Sequence, residues 1–141
     1  MSVTYLTVDG VIALHEIALE YGPGLQGIRS QQVLASAVGQ AEASAFGEDA
    51  YNTIPEKAAA YGFFIAENQP FLDGNKRTAV LAMETFLIAN GYEFSEDNET
   101  IAKMLEDLGK KIIDQSEFFG WVCNHSRRRT NLVDVSSPVG D

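Results

Sequence analysis

Two apolar helical stretches joined by the polar segment Gln69–Arg77 limit the possible folds of this chain more than any other feature. The first opens at Thr53-Ile54-Pro55-Glu56. Thr and Glu three residues apart form a capping box, and Pro suits a first helical turn. It runs to Asn68 with Ala60, Phe63, Phe64 and Ala66 along it, a mixture of small and aromatic faces that predicts a central, mostly buried helix. Pro70 ends it. The second begins near Asn75, sets Ala79, Val80, Met83, Phe86 and Leu87 at helical spacing, and stops at Asn90-Gly91 with Gly91 at C′.

Helical periodicity governs the flanks as well. Thr7 is a candidate N-cap for a helix bearing Val8, Val11, Ile12 and Leu19, which Gly22-Pro23-Gly24 stops. A short helix from Ser30 puts Val33, Leu34, Ala37 and Val38 on one face. Gly39 to Asp49 reads as a loop or irregular hairpin, and Tyr92-Glu93-Phe94 as a short extended piece. Ile101, Met104, Leu105, Leu108 and Ile112 mark a further helix; Phe118, Phe119 and Val122 mark a last one, capped by Ser116. The expected class is all-α, a bundle of about six helices around two central ones. One domain over residues 1–125 is followed by a polar tail, 126–141, with Arg127-Arg128-Arg129 and Ser136-Ser137-Pro138.

Composition narrows the functions. The 141 residues are 45% hydrophobic, as expected of a single folded domain. Ten Lys+Arg against 20 Asp+Glu give a net charge of −10. That charge repels nucleic acid, so any phosphate site must be a local basic pocket. The lone Cys123 excludes an intrachain disulfide and a cysteine-based zinc site, and His15 and His125 read as packed or surface side chains rather than ligands. Met1-Ser2-Val3-Thr4 lacks a basic leader, and no apolar run nears the roughly 20 residues that span a bilayer. The expectation is a soluble, cytoplasmic protein.

The joining segment carries the chemistry. Asp73-Gly74 makes a tight turn, because Gly accepts positive φ. The helix behind it opens with free N–H groups and a positive dipole end, a ready anion site. Lys76 adds a point charge and Arg77 a planar fork for phosphate oxygens. Asn75 can orient a phosphate or act as the cap. Asp73 offers a hard oxygen ligand for a Mg2+ that travels with a nucleotide, and apolar Phe71 is placed to anchor the loop in the core. The bland alternative is a well-made helix start with solvated basic residues. Basic residues at a helix N-terminus oppose the macrodipole, however, which favours the phosphate reading.

Pro70-Phe71-Leu72-Asp73-Gly74-Asn75-Lys76-Arg77-Thr78 resembles the signature of the Fic/Doc family in its Doc (death-on-curing) form, His-Pro-Phe-x-Asp-Gly-Asn-Lys-Arg. Leu14-His15, Tyr21-Gly22, Gly27-Ile28-Arg29, Leu34 to Ala37, Tyr51 to Ala60 and Asn90-Gly91-Tyr92 look like further Doc-type landmarks. The resemblance runs over roughly residues 5–125. It implies a Fic fold whose central helix pair carries the loop, with Gly74, Asn75, Lys76 and Arg77 on the nucleotide. Fic members mostly transfer AMP to a hydroxyl. Doc members turn ATP around and transfer its γ-phosphate, acting on elongation factor Tu, and are held by an antitoxin that folds into a groove on the toxin. Lys76, where Fic enzymes usually carry a second glycine, places the chain on the Doc side.

The signature's histidine, the base that deprotonates the target hydroxyl, is Gln69 here. A neutral amide orients a hydroxyl but does not take its proton. General-base catalysis is worth about 10²–10⁴ in rate, so activity is expected to fall by that order or vanish while nucleotide binding survives. Three accounts stand open: an inactivating change of a histidine codon, a naturally degenerate toxin, or rescue by another base such as Glu67 or His125. The functional candidates are a Doc-type phosphotransferase, a non-catalytic nucleotide- or partner-binding module, and an AMP-transferring Fic enzyme.

Overall fold

A computed structural model describes residues 2–130. Among them lie six α-helices: α1 (Val8–Glu20), α2 (Gln31–Gly39), α3 (Ile54–Asn68), α4 (Asn75–Ala89), α5 (Asn98–Gly109) and α6 (Gln115–Asn124). Two small antiparallel pairs accompany them, β1 (Ser44–Ala45) with β2 (Glu48–Asp49) and β3 (Tyr92–Phe94) with β4 (Ser126–Arg128). The all-α expectation holds.

The central pair is α3 and α4, with α6 against α3 and α1 against α4. The two helices bury both small and large side chains. Ala58, Ala59, Tyr61, Ile65, Ala79, Ala82, Met83 and Phe86 are all fully buried. Burying a Met or Phe side chain contributes about 1.5–3 kcal/mol, so this seam holds the joining loop in place. Gly62 lies where α3 meets α4, and a methyl group there would collide with the Met83 sulfur. This close approach explains a glycine in mid-helix, which costs about 1 kcal/mol relative to Ala.

The caps follow the sequence closely. Thr7 Oγ1 accepts from Gly10 N–H at 3.0 Å and Ser30 Oγ from Val33 N–H at 3.1 Å. Thr53 and Glu56 close the reciprocal box at 3.2 and 3.1 Å. Two expectations are corrected. Asp114, and not Ser116, caps α6: it exchanges bonds with Glu117 at 2.8 and 3.0 Å, leaving Ser116 inside the first turn. Ile112 is not on the buried face of α5; that helix ends at Gly109, and Ile112 is 64% exposed beyond it.

Gly39 to Asp49 forms a 3₁₀ turn (Gln40–Glu42) and then the β1–β2 hairpin, with Phe46 wholly exposed at its tip. The buried Lys57 of α3 ties the hairpin down through Asp49, 3.3 Å away. Tyr92–Phe94 is extended as expected, but its partner is Ser126–Arg128. The start of the expected tail is therefore part of the fold, because backbone pairing at an exposed edge accepts polar side chains. Residues 131–141, with Ser136-Ser137-Pro138, lie outside the described residues.

Candidate functional site

Helix α3 ends with Gln69 in the left-handed region, φ 49° and ψ 62°. Two carbonyls at that end are capped by Arg29, whose Nε donates to Gln69 O and Nη2 to Asn68 O, both at 2.6 Å. The Arg29 N–H donates to Pro70 O at 2.7 Å and the Leu72 N–H to Gly27 O at 3.0 Å, so residues 27–29 hold the joining loop as a short antiparallel bridge.

Phe71 turns inward and is 1% exposed, as its apolar character predicts. Its ring stacks on that of His15, with centroids 3.8 Å apart and planes within 5°. His15 Nε2 lies 2.8 Å from Asp73 O. A carbonyl only accepts, so this nitrogen carries the proton. His15 is thus the packed histidine that the sequence suggests, and it is packed against the loop.

The polar residues of the loop then pin it from within. Asn75 Oδ1 accepts from Phe71 N–H at 2.9 Å and its Nδ2 donates to Phe71 O at 3.0 Å. Asn75 is the first helical residue and Gly74, at φ 79°, is the cap. The cap role considered for Asn75 falls to Gly74, and its amide is turned to Phe71. Asp73 Oδ2 accepts from Leu25 N–H at 2.7 Å. Arg77 Nη1 donates to Ala18 O at 2.9 Å and Nη2 to Pro23 O at 3.0 Å, closing the C-terminal end of α1. The fork expected on phosphate oxygens is fixed on backbone carbonyls.

What remains facing outward is a cleft of about 290 Å³ lined by Gln69, Leu72, Asp73, Gly74, Lys76 and Arg77, with Ala66 and Asn75. Lys76 is exposed and makes no ion pair among the described residues. The opening of α4 differs from that of its neighbours. The other five helices each begin with a Thr, Ser or Asp side chain accepting from the first turn; α4 has a glycine cap, no side-chain acceptor and no acidic residue there. Its first N–H groups have no acceptor among the described residues.

Neither candidate for a substitute base lines this cleft. Glu67 borders a separate groove with Leu108 and Asp114. His125 bonds Trp121 O at 2.8 Å and sits 3.7 Å from Glu96. Burial first, and then the Glu56 carboxylate, push the Cys123 thiol up, so it is no ready nucleophile. No group of three or more His, Cys, Asp or Glu residues able to hold a metal occurs among the described residues. No described helix is long and apolar enough to cross a membrane.

The loop residues singled out in the sequence line one cleft, but the residues that hold the loop are not legible there. His15 reads only as a packed or surface side chain and Arg29 only as a Doc-type landmark, and nothing in the sequence links them to a loop about 40–60 residues away, beyond the reach of local patterning.

A helical bundle whose central pair, α3 and α4, is joined by this short loop defines the class of fold. A sequence model described as the Fic/DOC family matches residues 5–87, from the lead into α1 through most of α4. A curated relative, the toxin Doc of Mycolicibacterium smegmatis, is 39% identical over 108 residues, covering 77% of this chain and 79% of the relative. The chain belongs to the Fic/Doc family.

Proposed function

We propose that this chain is a Doc-type toxin of a toxin–antitoxin pair. In this reading its site moves the γ-phosphoryl group of ATP onto a protein hydroxyl, with elongation factor Tu the target by resemblance. It works in the cytoplasm and is held by a cognate antitoxin, with Gln69 keeping its turnover low. The observation that carries this reading is the start of α4, which no side chain caps, with Lys76 beside it, opening into the cleft that Gln69 borders.

Each residue has a separate task. The free N–H groups of the first α4 turn and the Lys76 ammonium hold phosphate oxygens. Arg77 adds positive charge from a position fixed by Ala18 and Pro23. Asp73 keeps one carboxylate oxygen beyond the one bound to Leu25. A single hard oxygen suits Mg2+, which is bound through one or two carboxylates plus phosphates and water. With the nucleotide, that ion would supply charge neutralisation at the phosphates. Gln69 can orient the incoming hydroxyl, while its proton must leave to solvent. Losing the base costs about 10²–10⁴ in rate.

Gln69 also supports a second reading, a nucleotide- or partner-binding protein that retains the cleft without turnover. AMP transfer is disfavoured by Lys76, whose side chain occupies the place that a glycine would leave open. Expressing the chain and Gln69→His in bacteria without an antitoxin separates these readings. The phosphotransferase reading predicts growth arrest and a phosphoryl adduct on a translation factor with the histidine variant, and a weak effect or none with glutamine. Unimpaired growth and no labelled protein with Gln69→His would refute it, and an AMP adduct by mass would establish the alternative chemistry.

A further inference from the structure

We infer that the outer edge of β4, centred on Arg128, takes up an acidic, extended segment of a partner protein as a third strand. This edge is separate from the cleft. β3 follows the C-terminal end of α4, whereas the cleft opens at its N-terminal end, about 20 Å away along the 15-residue helix.

The backbone defines the edge. Ser95 N–H donates to His125 O at 2.8 Å and Arg129 N–H to Gly91 O at 2.9 Å, on either side of the Glu93–Arg127 pair. In an antiparallel ladder the residues between such bonded pairs turn their N–H and C=O away from the neighbouring strand. Arg128 is one of them, and its N–H and C=O have no partner among the described residues. Arg127 and Arg128 are exposed, and with Glu93 and Thr130 they line a groove of about 420 Å³.

Charge selects the occupant. The chain carries −10 overall, yet Arg127-Arg128-Arg129 sets three of its ten Lys+Arg in succession here. Arg127 is paired with Glu93 at 2.6 Å, and the Arg128 guanidinium lies over the Tyr92 ring, 5.6 Å from its centroid. Neither Arg128 nor Arg129 forms an ion pair among the described residues. A second copy pairing through the same edge would set arginine against arginine, which is destabilising. Nucleic acid is repelled by the net charge, and its phosphates offer no N–H to the Arg128 carbonyl. An acidic strand meets both demands: its backbone extends the ladder, and its carboxylates face the arginines.

Hydrogen exchange and amide-resonance mapping on the folded chain test this with a short peptide alternating Thr and Glu. In the free chain the Arg128 N–H is expected to exchange fast. The peptide is expected to slow that exchange and to shift Ser126 to Arg129, leaving Gly74 to Arg77 unmoved. Methylating the peptide nitrogens removes the strand-forming N–H groups and is expected to weaken binding at least about tenfold. The double variant Arg128→Glu, Arg129→Glu is expected to weaken it as much, with a control melt to establish folding. An Arg128 N–H already protected in the free chain would mean that the edge is covered, by a second copy if protection grows with concentration, and would overturn the inference. So would equal binding of the methylated peptide, or tighter binding of single-stranded RNA than of the peptide. No binding at all would leave the arginines as guards against edge pairing and would equally overturn it.

Discussion

Lys76 and Arg77 are adjacent, alike in charge and opposite in expected role, and Arg77→Ala exposes the difference. Arg77 donates to two carbonyls, at 2.9 and 3.0 Å. Ala18 O lies in the last turn of α1, where its other partner is the Tyr21 N–H at 3.2 Å. Bonds from a charged donor are worth about 1.5–3 kcal/mol when water is excluded. Arg77 is only half-buried, and water can replace it, so about 1 kcal/mol for each is the better figure. Its charge at the C-terminal end of α1 adds about 0.3–1 kcal/mol. The total is about 2–3 kcal/mol, or a fall in Tm of about 8 °C for a chain of this size. Lys76→Ala removes an exposed side chain and should stay within about 0.5 kcal/mol of the parent. Thermal melts and urea titrations of both variants measure the contrast. An Arg77→Ala protein melting within about 1 °C of the parent would refute the reasoning.

Other outcomes follow from the same contacts. Asn75→Ala removes both bonds to Phe71 and should cost about 2 kcal/mol in urea unfolding, with weaker ATP binding as the loop loosens. Tyr61 is raised to about 12, chiefly by burial and against the lowering effect of the Leu6 N–H. Its folded pKa exceeds the unfolded value, so its contribution is complete below pH 10 and is lost as pH rises towards 12. Alkaline unfolding should therefore be less steep in Tyr61→Phe, measured by circular dichroism; identical profiles would contradict this. In Gln69→His, phosphotransfer should gain a limb that rises with pH near the ordinary histidine value of about 6.5, and the parent should show none.

Much of this fold can be read from short-range chemistry. Thr7, Ser30 and the Thr53–Glu56 box act on residues three positions away, so the sequence displays both partners at once. Gly74 is legible for the same reason, since a positive φ in a turn selects glycine. The inward roles of Asn75 and Arg77 were not legible. Their partners are backbone groups of Phe71, Ala18 and Pro23, and a carbonyl has no residue signature. The β3–β4 pair was half visible, because Tyr92–Phe94 looks extended whereas Ser126–Arg128 has the composition of a tail. Asp114 is less legible as the cap of α6, because Ser116 stands closer to the apolar run at Phe118. Residues that break local rules point to the candidate site: two basic side chains at the start of α4, and a glutamine with positive φ at the end of α3.

Calorimetric titration of ATP with Mg2+ into the chain, repeated on Lys76→Ala, tests the phosphate grip most directly. One site per chain is expected, weakened at least about tenfold in the variant, with the melting temperature unchanged. Absence of binding, or equal affinity in both proteins, would contradict the role assigned to the opening of α4.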